Sequence, residues 1–221
     1  RIHRRVTDPH IIHFIHDAAA KEMVFVFENA DIHVAIVEDQ EQVDKMLEVT
    51  EGWPQLQHII YDDPRGLRNY AEQTLVSHEQ LLERGRLAQQ AKPEMVQERI
   101  DAGKPDDTAA MFYTSGTTGN PKGVIHTHRT LISMSSVVSD MEGLTDDEEI
   151  LAYLPVAWIG QNIFSYAQWM INGFTVNCPE AAETVEANLR EIGPTYYFAP
   201  PRVLEGLLTQ VTIRMEDAAP I

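Results

Sequence analysis

The chain has 221 residues, 43% of them hydrophobic, and its 34 Asp and Glu residues against 17 Lys and Arg residues give a formal net charge of −17. This length and apolar content are sufficient for a substantial core in one α/β domain. The acidic balance argues against a nucleic-acid-binding surface, and the sequence lacks the long apolar run, about 18 residues or more, of a membrane-spanning helix.

The cysteine content and the N-terminal residues bear on the cellular compartment. Cys178 is the one cysteine of the sequence, so an intramolecular disulfide is impossible and a reducing compartment is favoured. We expect Cys178 to be a small buried apolar residue. The N-terminal residues lack the continuous apolar stretch of a signal peptide. The sequence therefore predicts a cytoplasmic protein, and any membrane contact of the full-length protein would be peripheral.

Residues 1–17 do not share the regular pattern of the rest and are interpreted as a leader of unclear origin. Three histidines of this segment would share one side of a helix: His10, His13 and His16. Their spacing is compatible with a metal site. Because Asp8 and Asp17 are the only nearby carboxylates and no cysteine is close, we favour the leader and predict no metal site.

From residue 18 onward, helix and strand patterns alternate. Apolar spacing predicts helices over 18–29 and 40–49 and strands over 32–37 and 57–61. The apolar residues of the second helix share one side: Val43, Met46 and Leu47. Such alternation predicts parallel crossover units in a layered sheet.

A polar helical stretch follows over residues 77–103 and is predicted to lie on the surface. Ser77 has the position of an N-cap, and Gln80 stands three residues later, as in a capping box. Pro93 predicts the start of a second helix over 94–102.

The most informative stretch is residues 113–124, Tyr-Thr-Ser-Gly-Thr-Thr-Gly-Asn-Pro-Lys-Gly-Val, which follows a predicted strand over 109–113. A polyphosphate requires close backbone approach, several hydrogen-bond donors and positive charge. Three glycines would let the backbone curl with positive φ: Gly116, Gly119 and Gly123. Four hydroxyl groups add donors: Thr114, Ser115, Thr117 and Thr118. Lys122, after the stiff Pro121, supplies a compact ammonium. The stretch therefore predicts a phosphate-binding loop rather than the polar surface turn that the same residue types also form.

Two better-known glycine motifs do not fit this loop. A Walker loop requires Gly-Lys followed by Ser or Thr, whereas Lys122 follows Pro121 and precedes Gly123. The dinucleotide fingerprint requires Gly-x-Gly-x-x-Gly, whereas these glycines are three and four residues apart. The loop therefore belongs to another class.

After the loop, a short strand over 123–126 and a helix over 128–141 are predicted. His126 and His128 flank this junction, either near a bound nucleotide or, in the interpretation that we favour, in packing or capping roles. Helical spacing turns four apolar residues toward the core: Leu131, Met134, Val138 and Met141.

The C-terminal part continues the alternation of strands and helices. An acidic run at 146–149 is interpreted as a solvated connector rather than a Mg²⁺ site, because it lacks the glycine turn of a calcium loop. Pro155 ends a strand over 150–154, and a nearly all-round apolar helix over 158–171 is expected to be buried. The remaining predicted elements are strands over 174–178 and 196–199 and helices over 183–192 and 203–215.

Residues 113–124 resemble the signature loop of the adenylate-forming, AMP-binding enzymes, which include acyl-CoA synthetases, aryl-CoA ligases, peptide-synthetase adenylation domains and luciferases. Residues 154–160, Leu-Pro-Val-Ala-Trp-Ile-Gly, resemble the segment that lines the acyl pocket in that family. Within the family, residues 37–45 and 192–201 are most similar to long-chain fatty acyl-CoA synthetases. The resemblance implies that residues 18–221 form an incomplete N-terminal domain of the adenylate-forming fold, an α/β domain with layered, mostly parallel sheets and flanking helices.

The resemblance also implies a reaction. A fatty acid carboxylate attacks the α-phosphate of Mg²⁺-ATP and releases pyrophosphate, and coenzyme A then captures the acyl-adenylate as a thioester. Lys122 would stabilise the charge of the phosphates and of the departing pyrophosphate. Further nucleotide contacts would come from Thr114, Ser115, Gly116, Thr117, Thr118 and Gly119. The acyl pocket would include Trp158, Gly160 and Gln161. Many relatives have His where Trp158 stands, and periodicity alone would make Trp158 a core anchor.

The later elements of the family are not found in these 221 residues. They are a Tyr-Gly-x-Thr-Glu segment whose glutamate binds Mg²⁺, an aspartate for the ribose hydroxyls, and a C-terminal domain with a catalytic lysine. We therefore expect the metal ligand to lie outside this chain, and the chain alone to show little or no turnover. The alternative is a non-catalytic nucleotide-binding or structural remnant of the family.

Overall fold

The computed structural model describes residues 11–12, 18–114 and 120–218. The chain divides into two compact units: residues 1–130 with 156–158, and residues 131–155 with 159–221. Among the described residues, no helix has the length and apolar character needed to cross a membrane. The leader histidines His10, His13 and His16 lie outside the described residues, so their interpretation stays a prediction.

The first unit contains two sheets and four helices within its described residues. Its elements are β1 (Ile11–Ile12), α1 (Ala20–Ala30), β2 (Val34–Val37), α2 (Gln40–Gly52), β3 (His58–Tyr61), β4 (Leu75–Ser77), α3 (His78–Ala91), α4 (Met95–Ala102), β5 (Thr108–Thr114) and β6 (Lys122–Thr127), followed along the chain by α5 (His128–Glu142).

One sheet is parallel, with its strands in the order β2-β3-β4. Ala35 lies opposite Ile59, and Ile60 lies opposite Val76. Helix α2 connects β2 to β3 as a crossover, so the predicted parallel crossover units are confirmed. Strand β4 was not predicted, because three residues are too few for an alternating pattern to be recognised.

The core of the first unit is formed by α1, α2 and the buried residues of β2 and β3. Its members are Ala20, Met23, Phe27, Ala35, Val43, Met46, Val49, Leu56, Ile59 and Leu67. The predicted inward side of α2 is confirmed for Val43 and Met46, whereas Leu47 is only partly buried. Burying one side chain of this size contributes about 1.5–3 kcal/mol, so α1 and α2 are firmly held to the sheet.

Helices α3 and α4 form the predicted surface excursion, and neither has a buried residue. The capping box is confirmed: the Gln80 backbone N–H donates to the Ser77 hydroxyl at 3.1 Å, and the Ser77 N–H donates to the Gln80 side-chain oxygen at 3.1 Å. These two bonds satisfy backbone donors that the first turn of a helix leaves free.

The second sheet contains the loop motif. Strand β5 pairs in parallel with β1 and in antiparallel fashion with β6. Strands β5 and β6 therefore form a hairpin whose connection is the predicted phosphate loop. The strand predicted over 109–113 is confirmed and extends to Thr108–Thr114.

The predicted inward face of α5 is wrong in part. Leu131 is buried as expected, but Met134 and Met141 are 52% and 79% exposed. The other buried positions are Ser135 and Ser139, which follow Leu131 at spacings of four residues. Because apolar periodicity gives no weight to serine, it assigned the buried face to the larger apolar side chains.

The second unit contains a two-stranded parallel sheet and several helices. Its elements after α5 are β7 (Glu149–Leu151), α6 (Ile159–Gln161, then a π-helical segment Asn162–Ala167, then Gln168–Asn172), β8 (Thr175–Asn177), a 3-10 turn (Ala182–Thr184), α7 (Val185–Ile192) and α8 (Pro201–Asp217). Strands β7 and β8 pair with Ile150 opposite Val176.

Three expectations for the second unit are wrong. The all-round apolar helix α6 is buried on one side only, and its exposed residues are Tyr166, Trp169, Met170 and Ile171. Residues 196–199 form no strand: among the described residues, the backbone hydrogen bond from this segment to β7 is that of the Tyr196 N–H to the Glu149 carbonyl at 3.4 Å, and the segment then runs into Pro200. Cys178 is exposed, because it lies just beyond the end of β8 rather than within the strand.

Candidate functional site

The β5–β6 hairpin brings the two ends of the predicted phosphate loop together. Thr114, the last residue of β5, lies opposite Lys122, the first residue of β6. The Thr114 hydroxyl is 3.5 Å from the Lys122 carbonyl oxygen, at the limit of a hydrogen bond. The predicted contacts between them lie outside the described residues: Ser115, Gly116, Thr117, Thr118 and Gly119.

Lys122 is exposed at the end of the hairpin. Within the described residues, the lysines that form ion pairs are Lys45, with Glu41, and Lys92, with Glu98. No described carboxylate therefore neutralises the Lys122 ammonium. An uncompensated ammonium beside a loop of hydroxyl and glycine residues is suited to an anionic ligand.

Gly123 has a different role from the one predicted. It lies in the extended backbone of β6 and is not among the described glycines with positive φ. A Cβ on Gly123 would lie 2.9 Å from the sulfur of Met111 and 3.0 Å from Cζ of Tyr113. Glycine is therefore required so that the Tyr113 ring can pack closely against β6.

Tyr113 also links the hairpin to helix α1. Its hydroxyl donates a hydrogen bond to Oδ1 of Asn29 at 2.6 Å. Burial raises the pKa of the Tyr113 hydroxyl to about 12, so the group stays neutral and remains a donor around pH 7. No sequence pattern singles out Asn29, because it precedes Tyr113 by 84 residues.

The residues that flank the hairpin have packing and capping roles. The His126 ring packs edge-on against Phe112, with ring centroids 5.7 Å apart. The backbone N–H of His128 donates to the Asp107 carbonyl oxygen at 3.2 Å. The Thr127 hydroxyl accepts the backbone N–H of Thr130 at 3.1 Å at the start of α5. The favoured interpretation of the two histidines is thus consistent with their contacts.

The second unit contains a small cavity of about 10 Å³, which is close to the space that one water molecule needs. Its lining residues are Ile150, Leu151, Leu154, Gln161, Phe164, Ser165, Tyr196 and Phe198. The cavity is therefore mostly apolar, with a few polar groups in its wall.

Gln161 lines this cavity, and Gly160 lies next to Phe198, which also lines it. A Cβ on Gly160 would lie 3.4 Å from Cε1 of Phe198, so the glycine gives room to that ring. The Oε1 atom of Gln161 accepts the backbone N–H of Leu154 at 3.2 Å. Trp158 belongs to the first unit, and with 46% of its surface exposed it is not enclosed in a core.

Residues 196–198 separate two cavities although they form no strand. Tyr196 and Phe198 line the small cavity, whereas Tyr197 faces a second cavity of about 210 Å³ between α7 and α8. Phe198 stacks on Phe164 with ring centroids 3.8 Å apart, and Tyr197 stacks on Tyr153 with ring centroids 5.5 Å apart. The side chains of these three residues thus alternate between the two cavities, as they would in a strand.

Helix α6 contains two buried glutamines with different surroundings. Gln161 has the hydrogen bond to Leu154, whereas Gln168 is fully buried and its amide lies beside the Tyr196 hydroxyl without a well-formed hydrogen bond. Burial raises the pKa of the Tyr196 hydroxyl, and the Gln168 amide opposes that rise. The Ser135 hydroxyl on α5 is likewise buried without a partner in this part of the chain. One helical turn further on, the Asn172 amide donates to the Ser139 hydroxyl at 2.8 Å.

Comparison with known proteins identifies the family. The model of the family described as AMP-binding enzyme matches residues 12–219. The chain is 27% identical over 195 residues to the long-chain-fatty-acid–CoA ligase ACSBG1 of Rattus norvegicus, covering 85% of this chain and 26% of that protein. It is 26% identical over 206 residues to fatty acyl-CoA synthetase B of Dictyostelium discoideum, covering 91% of this chain and 30% of that protein.

The solved structures support the same fold. The crystal structure of the anthranilate CoA ligase AuaEII in complex with anthranoyl-AMP has a TM-score of 0.63 at 18% identity, covering 86% of this chain and 35% of that one. Compared with the two curated relatives from Rattus norvegicus and Dictyostelium discoideum, the chain spans about a quarter to a third of their length. Because the family model covers nearly all of its residues, this chain belongs to the AMP-binding enzyme family of adenylate-forming ligases.

Proposed function

We propose that this chain is part of an ATP-dependent acyl-CoA ligase that activates a fatty acid as its adenylate and passes the acyl group to coenzyme A. The observation that carries this proposal is the β5–β6 hairpin, in which Thr114 and Lys122 hold the two ends of the family's loop motif in register. The names of the relatives, fatty acyl-CoA synthetases and ligases, support a fatty acid as the substrate.

In the proposed first step, a carboxylate oxygen of the fatty acid attacks the α-phosphorus of ATP and the bond to pyrophosphate breaks. The Lys122 ammonium faces the β- and γ-phosphates and stabilises the charge that collects on the departing pyrophosphate. The hydroxyls of Thr114, Ser115, Thr117 and Thr118 donate to the phosphate oxygens, and Gly116 and Gly119 permit close backbone approach.

In the second step, the sulfur of coenzyme A attacks the acyl carbonyl, AMP leaves, and the thiol proton passes to the medium. Trp158, Gly160 and Gln161 are proposed to contribute to the acyl site. An acyl chain cannot enter the described cavity of about 10 Å³ unless the stacked rings of Phe164 and Phe198 move apart.

Mg²⁺ accompanies ATP in such reactions and neutralises phosphate charge when it is bound. Among the described residues, no three His, Cys, Asp or Glu side chains are grouped to hold a metal ion. We therefore assign no described residue as a metal ligand and propose that the Mg²⁺ ligand lies outside this chain. We propose that residues 18–221 supply the phosphate loop and part of the acyl site, and that this chain alone shows little or no turnover.

The proposal is tested in two stages. First, titration calorimetry of the 221-residue chain with ATP and with inorganic pyrophosphate should show binding of both, and pyrophosphate should compete with ATP because the loop recognises phosphates. Second, a full-length enzyme that carries this segment should exchange labelled pyrophosphate into ATP only when a fatty acid is present. A series of acids from acetate to palmitate then defines the preferred chain length.

The outcomes separate the alternatives. If neither ATP nor pyrophosphate binds, the phosphate loop is not functional and the proposal fails. If ATP binds but no acid supports exchange in the full-length protein, the chain is a non-catalytic nucleotide-binding member of the family. If aryl acids but not fatty acids support exchange, the ligase activity stands and a fatty acid is rejected as the substrate.

A further inference from the structure

We propose that Asn29 and Tyr113 act together as a positioning pair, which fixes the base of the phosphate loop against helix α1. This inference rests on the proposed function, because it concerns the loop that would hold ATP. Neither residue needs to touch the nucleotide. Their effect would reach it through Thr114 and Lys122, the residues at the two ends of the loop.

The first step of the argument is the rigidity of the support. Asn29 lies near the end of α1, between Phe27 and Ala30, which are 2% and 4% exposed. Phe27 belongs to the core that joins α1 to the parallel sheet. The Asn29 amide is therefore carried by a helix end whose neighbouring residues cannot shift without disturbing a close-packed core.

The second step is the direct link to the hairpin. The hydrogen bond of 2.6 Å from the Tyr113 hydroxyl to Asn29 joins residues 84 positions apart. The Tyr113 hydroxyl does not ionise around pH 7, so the bond persists over the range in which a ligase would act.

The third step is the transfer of position from Tyr113 to the loop. Tyr113 lies opposite Gly123 in the hairpin register, and its ring packs where a Cβ of Gly123 would otherwise stand. The next pair in the register is Thr114 with Lys122, from which the loop begins and ends. A shift of the Tyr113 ring would therefore move both ends of the loop. Catalytic and binding groups lose effect when their support is displaced by about 1 Å.

The test is a double-mutant cycle on the 221-residue chain, with the dissociation constants for ATP and pyrophosphate measured by calorimetry and the unfolding temperature measured in parallel. Tyr113→Phe removes only the hydroxyl, and Asn29→Ala removes its acceptor. Each single variant should weaken binding of both ligands about three- to tenfold. The double variant should be no weaker than either single variant, because both remove the same interaction.

Two further variants distinguish positioning from general stability. Asn29→Asp keeps an oxygen acceptor for the Tyr113 hydroxyl and should restore most of the affinity. Tyr70→Phe is a control for stability, because the Tyr70 hydroxyl donates a 2.6 Å hydrogen bond to Asp44 and accepts one of 3.0 Å from Nε2 of Gln40 within the first unit. It should lower the unfolding temperature at least as much as Tyr113→Phe but leave the affinity for ATP unchanged.

The positioning role is overturned if Tyr113→Phe binds ATP and pyrophosphate as the unchanged chain does, or if Tyr70→Phe weakens binding equally. It is also overturned if the effects of the two single variants simply add. If the unchanged chain itself binds neither ligand, the proposed function fails first, and the positioning role fails with it. The two failures are distinguishable. Loss of binding in the unchanged chain rejects the proposed function, whereas equal binding by the unchanged chain and by Tyr113→Phe rejects only the positioning role.

Discussion

Gly123 and Tyr113 stand directly opposite each other in the β5–β6 hairpin, and a Cβ on Gly123 would come within 3.0 Å of Cζ of the tyrosine ring. Position 123 therefore requires glycine because of packing and not because of a turn with positive φ. This relationship makes the strand after the loop, and not only the loop itself, sensitive to substitution.

Gly123→Ala should therefore lower the free energy of unfolding by about 1 kcal/mol, because the added methyl group must displace the Met111 and Tyr113 side chains although Gly123 itself is exposed. Chemical denaturation of the 221-residue chain measures the change. Gly85→Ala is the matched control: a Cβ at Gly85 meets nothing within 4 Å, and alanine favours the helix α3, so stability should rise by about 0.5–1 kcal/mol. Equal effects of the two substitutions would contradict the packing role.

Lys122→Ala should lower the rate of adenylation in a full-length enzyme at least tenfold, which corresponds to about 1.4 kcal/mol of transition-state stabilisation. The ammonium is exposed and has no carboxylate partner among the described residues, so its charge remains available for phosphate. Acid-dependent pyrophosphate exchange measures the change. Lys104→Ala removes another exposed lysine from the connector before β5 and should leave exchange unaltered. If exchange is unchanged after Lys122→Ala, the role of Lys122 in stabilising the phosphates is rejected.

The connector before β5 and the start of α5 are joined by an ion pair. The Arg129 guanidinium donates from Nε to Asp106 at 2.7 Å and from a terminal nitrogen at 3.1 Å. This hydrogen bonding lowers the pKa of the Asp106 carboxyl below its usual range. The pair therefore stabilises the fold above the unfolded-state pKa of aspartate, near 4, and its contribution is lost as the pH falls through the lower folded-state value.

Asp106→Asn should accordingly lower the unfolding temperature slightly at pH 7, because the pair is exposed and screened by solvent. The difference from the unchanged chain should shrink as the pH falls below about 4 and should be absent once Asp106 is protonated in the folded state. Thermal unfolding followed by circular dichroism from pH 7 to pH 2 checks this. A difference that grows on acidification would have the wrong sign for this ion pair.

Local signals in the sequence were sufficient for much of the fold and for the loop. The capping box of Ser77 and Gln80 needs only four consecutive residues, and both of its hydrogen bonds are present. The alternation of helices and strands is also visible along the continuous sequence, and it identified the parallel sheet. The loop motif of residues 113–124 is likewise continuous in sequence, so it could be recognised before its ends were seen to meet.

Features that depend on distant or polar contacts could not be predicted. Nothing near Asn29 indicates a partner 84 residues away. The buried face of α5 contains Ser135 and Ser139, which hydrophobic periodicity ignores. The segment 196–199 has the apolar composition of a strand, but whether it pairs is decided by the neighbouring β7, to which its backbone is hydrogen-bonded at Glu149.

The two buried glutamines of α6 give the last prediction. Gln168 is fully buried, and its amide lies beside the Tyr196 hydroxyl without a well-formed hydrogen bond. A buried amide whose hydrogen bonds are not made costs about 1–3 kcal/mol. Gln168→Met keeps the length of the side chain and removes this cost, so the free energy of unfolding should rise by about 1–2 kcal/mol in urea denaturation. Gln161→Met is the control, because it deprives the Leu154 N–H of its acceptor and should lower stability by about 1 kcal/mol. If Gln168→Met also destabilises the chain, the amide is satisfied in solution, and its first partner to examine in a high-resolution crystal structure is the Tyr196 hydroxyl, directly or through a water molecule.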